Sequence, residues 1–139
     1  MSNTVRFGVS IDENLLGEFD SFCEDRGYAT RSEALRDLIR DALVAERGAL
    51  EDATVVGSLT LVYDHHKSDL TQRLIAAQHD AHHLILATLH VHLDHHNCLE
   101  VLALHGKSGD VMTFADQLLA VKGVKHGKFV QTTSGKEFT

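Results

Sequence analysis

From residue 5 to 11, VRFGVSI, apolar positions alternate strictly with polar or small ones: Val5, Phe7, Val9 and Ile11 fall on one face, Arg6, Gly8 and Ser10 on the other. Period two predicts a half-buried strand. After Asp12, an N-cap residue type, Leu15, Leu16, Phe19, Phe22 and Cys23 recur at helical spacing as far as Gly27, which predicts a helix over 13–26. TRSE at 30–33 sets Thr30 three residues before Glu33, a capping box, and opens a helix with the stripe Leu35, Leu38, Ile39, Ala42 and Leu43, ending near Gly48. One strand and two helices bury too little surface alone, and the strand lacks a partner for its backbone. Two copies pairing their strands antiparallel would solve both problems. Arg6, Gly8 and Ser10 would then face outward on a two-stranded ribbon, an element that fits the DNA major groove.

Residues 47–56 lose periodicity and read as a linker. Beyond them the pattern predicts strand 55–63, helix 67–79, strands 83–93 and 99–105, a helix capped by Ser108 and stopped by Gly123, and strand 124–131. The order β-α-β-β-α-β is the split βαβ of ferredoxin-like domains. The chain is thus an α+β protein with a β-α-α domain over 1–48, a linker over 49–54 and a second domain over 55–139; the tail after Thr132 is expected to be loose.

The chemistry concentrates in the second domain. Seven of the eleven histidines lie between 79 and 96. On a strand His90 and His92 share one face while Leu89, Val91 and Leu93 take the other. A turn later Cys98 enters the next strand, which can bring a thiolate beside two imidazoles. That leaves a fourth position open for a late first-row metal, and His79, near a helix end, is the best candidate for it. Spacing does not choose between zinc, nickel and copper. The remaining histidines have ordinary polar uses.

Charge changes the picture of the first domain. The chain carries a net charge of −7, and residues 1–47 hold six Arg against ten Asp or Glu. Any DNA footprint must therefore be narrow, confined to the ribbon and the start of the second helix, where Thr30, Arg31 and Ser32 would meet a phosphate. No apolar run approaches a membrane span and no signal stretch opens the chain, so a cytoplasmic protein with reduced Cys23 and Cys98 is expected.

QHDAHH, TLHVHLDHHNCLEVL and GVKHG, following a strand-helix-helix start, resemble the nickel-responsive NikR repressors, from Val5 to about Val130. The resemblance implies a ribbon-helix-helix domain joined to an ACT-like domain, a homotetramer, and repression of nickel-uptake genes through palindromic double-stranded operator DNA. It further implies square-planar Ni(II) held by His90, His92 and Cys98, with His79 from a neighbouring subunit. Arg6 and Ser10 match base-reading positions, while Gly8 stands where the family commonly has a threonine. Lys67 matches a position near the DNA backbone, and Ser68 replaces a basic neighbour. Glu33 and Asp37, one helical turn apart, match a pair that helps hold K+ between the domains. Nickel bridging is expected to restrict a swing of the DNA-binding dimers about the 47–56 linker. Other classes are a copper, cobalt or zinc sensor, an amino-acid sensor using the ACT-like fold, and a metalloenzyme using Asp94 or Glu100.

Overall fold

The computed structural model describes residues 3–138. The chain forms two compact units. One runs from the N-terminus through Leu43 and includes the chain from Gly135 onward; the other is Val44–Ser134.

In the first unit α1 spans Glu13–Arg26. Asp12 caps it by accepting from the Leu15 amide at 3.0 Å, and Gly27 ends it at φ 77°. The Gly27 and Tyr28 amides return to the Glu24 and Cys23 carbonyls, satisfying acceptors that a helix end leaves bare. α2 spans Arg31–Gly48. The Thr30 hydroxyl accepts from the Glu33 amide at 3.2 Å, and the Glu33 carboxylate reaches back to the Ala29 amide.

The strand expected at 5–11 is absent in the single chain: residues 3–12 have neither helix nor strand. Val5, Phe7 and Val9 are 81%, 71% and 62% exposed. A strand is defined by a ladder, and the alternation of these residues provides an apolar face with no partner in one chain.

The second unit is a four-stranded antiparallel sheet of β1 (Thr54–Asp64), β2 (Ile85–His92), β3 (Asn97–Lys107) and β4 (Val124–Thr132), in the order β2-β3-β1-β4. A turn of 3-10 helix over His82–Leu84 shortens the second strand relative to the 83–93 expectation. Helices α3 (Ser68–Asp80) and α4 (Ser108–Leu119) supply Leu70, Leu74, Ala77, Val111, Phe114 and Leu118 to the core. They meet alternate residues of the two central strands, Leu59, Leu61, Leu102 and Leu104, all fully buried, as the period-two side-chain direction requires. On the other face of β2, Leu89 is 59% exposed.

The linker read at 49–54 is fastened within this unit. The Ser108 amide donates to the Ala53 carbonyl at 2.8 Å and the Gly109 amide to the Glu51 carbonyl at 3.0 Å. Gln131 donates to the Val44 carbonyl at 2.8 Å. Ser108, expected to cap α4 with its side chain, instead donates its hydroxyl to the Gly48 carbonyl at 2.6 Å. Loss of hydrophobic periodicity marked a segment held by backbone bonds, which leave no trace in an apolar pattern.

Candidate metal centre and nucleic-acid interface

The β2–β3 ladder sets His92 directly opposite Cys98 and His90 opposite Glu100. Opposed residues share a face, so both pairs point to the helix-covered side. β2 is an edge strand, which leaves its two histidines exposed, whereas Cys98 and Glu100 on β3 are each only 1% exposed. Two imidazoles thus lie at the mouth of a site with a thiol beneath. Burial pushes the Cys98 thiol above its ordinary range; the Tyr63 hydroxyl opposes this, and the charges of Glu100 and Asp64 reinforce it. A metal can overcome that resistance by displacing the proton, since the thiolate is the ligand.

Sequence reasoning named Glu100 only as a possible acid and missed its partners. Tyr63, opposite Cys98 on β1, donates its hydroxyl to Glu100 Oε2 at 2.5 Å. Gln78 of α3 donates its amide to Glu100 Oε1, and His90 Nε2 lies 3.5 Å from Glu100 Oε2. Three elements besides its own strand converge on this carboxylate. The available signal was a glutamate in phase with Cys98, Leu102 and Leu104 on a buried strand face, a place that demands polar partners.

His79 is exposed in the last turn of α3, and its carbonyl lies 3.1 Å from His82 Nδ1. Among the described residues no three His, Cys, Asp or Glu side chains converge on one point. A single chain therefore offers His90, His92 and Cys98 in register without closing them into a ligand set, and His79 does not join them. The donor chemistry fits a late first-row metal: imidazole and thiolate nitrogen and sulfur on one face, with a carboxylate behind one ring.

A second group of imidazoles lies beside this site. The His65 ring is 4.3 Å from that of His66 and 4.7 Å from that of His92 between centroids, and His66 lies 5.2 Å from His95. Partial burial, then the nearby imidazoles of His66 and His92, hold His65 below its ordinary range. Asp94 organises the β2–β3 turn, accepting from the amides of His96 and Asn97 at 2.9 and 2.8 Å.

In the first unit, Arg6, Arg31 and Ser32 line one cavity with Val5, Phe7 and Ile39. Space is open around the Gly8 α-carbon, and Ser10 is exposed. Arg31 is engaged by Asp20 of α1. Of the acidic pair, Glu33 accepts from the Ala29 amide, while Asp37 accepts from the Tyr28 hydroxyl at 2.7 Å and lies 3.5 Å from Arg40. In the second unit, Lys67 precedes α3 with its side chain exposed.

Residues 56–132 match the NikR C terminal nickel binding domain, and residues 5–46 match the ribbon-helix-helix proteins of the copG family. A nickel-responsive regulator of Nitratidesulfovibrio vulgaris (strain Miyazaki F) is 58% identical over 139 residues, covering 100% of both chains. Another from Geobacter sulfurreducens is 56% identical over 137 residues, 99% of each. An uncharacterised protein of Thermotoga maritima of known structure superposes with a TM-score of 0.51 at 16% identity, over 56% of this chain and 96% of that one; this likeness concerns the fold alone. No helix among the described residues is long and apolar enough to cross a membrane. With a DNA-binding half and a nickel-binding half matched in the order the fold presents them, the chain belongs to the NikR family of nickel-responsive transcription regulators, which is not a family of enzymes.

Proposed function

We propose that this protein represses nickel-uptake genes in the cytoplasm, binding palindromic operator DNA when nickel is held by His90, His92 and Cys98 of one chain and by His79 of the partner subunit. The observation that carries this reading is the register of His92 opposite Cys98 with His90 two residues along the same face. Nickel bound there supplies a cross-link between chains. Two apolar surfaces await a second copy: the ribbon face of Val5, Phe7 and Val9, and the sheet face carrying Leu89 and Val91. Using both gives a homotetramer with two DNA-binding dimers.

Arg6 and Ser10 are the base-reading positions, and Gly8 forgoes one contact. Thr30, Arg31, Ser32 and Lys67 serve the phosphates. Glu33 and Asp37 would hold K+ only through carboxylate lone pairs not taken by the Ala29 amide, the Tyr28 hydroxyl and Arg40, which already engage them. Raising operator affinity about 100-fold requires about 2.7 kcal/mol of differential stabilisation, returned to the metal site as tighter binding. Because Val44 and the 49–53 segment are bonded to β4, the β3–α4 junction and α4, the joint of the coupling does not lie in a free linker.

The test is a Ni(II) titration of metal-free protein followed by ultraviolet and visible absorption, beside Cys98→Ala. Thiolate-to-nickel charge-transfer bands that saturate at about one metal per chain and vanish in the variant support the site. Bands that are missing, or that survive the substitution, reject it.

A further inference from the structure

We propose that Asp20 tunes DNA affinity: by gripping Arg31 at two points it competes with DNA phosphates for the guanidinium and so lowers sequence-independent binding. The inference rests on the DNA-binding reading above. Arg31 Nε donates to Asp20 Oδ1 at 2.8 Å and the Arg31 NH2 group to Oδ2 at 2.9 Å. A phosphate presents two oxygens in the same way, so carboxylate and phosphate compete for one fork. Both partners remain about half exposed, at 60% and 45% of the side chains, and nothing buries the pair against exchange. Arg31 also lines the same cavity as Arg6 and Ser32, the residues assigned to DNA. A guanidinium on phosphate adds affinity for every sequence alike. Tempered by Asp20, such affinity holds the protein less tightly on the excess of non-operator duplex. Part of the acidic excess of residues 1–47 thereby gains a use: it tempers the cations that would otherwise hold any duplex.

The experiment measures nickel-loaded protein on a duplex of random sequence across salt concentrations, for wild type, Asp20→Ala, Arg31→Ala and the double variant. Asp25→Ala removes the same charge from the same helix and reports the through-space contribution. Asp20→Ala is expected to tighten binding by about threefold per chain, about tenfold for a dimer, and to steepen the salt dependence by about one ion per released arginine. Arg31→Ala should weaken binding less with Asp20 present than in the Asp20→Ala background, and the double variant should differ from Arg31→Ala by no more than Asp25→Ala differs from wild type. An Asp20→Ala protein that binds no tighter than Asp25→Ala overturns the inference, as does an Arg31→Ala protein that loses as much affinity with Asp20 present as without it. If no variant and not the wild type binds duplex DNA, the DNA-binding reading itself fails and takes this inference with it.

Discussion

Tyr63 donates its hydroxyl to Glu100 at 2.5 Å across the central strands, and this buried bond stands directly behind the histidine face. Glu100 also accepts from Gln78, the neighbour of His79, and faces His90 Nε2. A carboxylate in that place turns one ring nitrogen of His90 inward and leaves the other for a metal. Glu100→Gln keeps the volume but converts one acceptor into a donor. Nickel affinity measured by chelator competition should fall at least about tenfold while the Cys98 charge-transfer bands persist. Unchanged affinity would mean that Glu100 only satisfies Tyr63 and Gln78. Glu100→Ala, which strands both donors, should cost about 2 kcal/mol or more in chemical denaturation.

His79→Ala separates the proposed trans ligand from the fold. His79 is exposed and outside the core, so the metal-free variant should keep the wild-type melting temperature. Its nickel-loaded form should lose metal-induced thermal stabilisation and bind nickel at least about tenfold more weakly. Equal stabilisation of both proteins by nickel would remove His79 from the ligand set.

Phe7 tests the ribbon. With Val5 and Val9 on the same exposed face, it forms an apolar patch of the kind that marks a protein–protein contact, here assigned to a second copy. Phe7→Asp should abolish DNA binding in a mobility-shift assay and reduce the oligomer by light scattering, while the nickel spectrum stays. A variant that remains fully assembled and binds DNA would place the dimer contact elsewhere.

What the sequence made legible follows the range of each signal. Both helices of the first unit begin and end where Asp12, Gly27 and the Thr30–Glu33 box put them, because caps act within one turn. The strand expected at 55–63 is met by β1, and the split βαβ order was readable from element types alone. The His92–Cys98 register followed from a hairpin too short to permit much slippage. Hidden features were long-range and polar. Gln78 reaches Glu100 from another element, Asp20 holds Arg31 from the preceding helix, and Ser108 ties down Gly48 sixty positions earlier. None alters an apolar period.

Ser108 therefore provides a test of the fastened segment. Its buried hydroxyl satisfies a carbonyl at the end of α2, an acceptor with no helical donor of its own. Ser108→Ala should destabilise the protein by about 1–2 kcal/mol and accelerate amide hydrogen exchange over 49–53 before the rest of the sheet. Exchange that is unchanged there would show that the Ala53 and Glu51 backbone bonds suffice.

Asp94 makes the β2–β3 hairpin sensitive to acid. Hydrogen bonds from the Asn97 side chain, then from the amides of Asn97 and His96, hold its carboxyl far below the ordinary range. The unfolded chain returns it to about 3.9. A carboxyl depressed in the folded state binds its proton less readily than in the unfolded state, so its stabilisation is complete above the unfolded value. It diminishes as pH falls below about 4 toward the folded value. Urea denaturation of metal-free protein between neutral pH and pH about 3 should show wild type losing more stability than Asp94→Ala, with the two curves converging at the acid end. Parallel curves would mean that the turn holds its shape without the charge, and that the spacing of His92 and Cys98 owes nothing to Asp94.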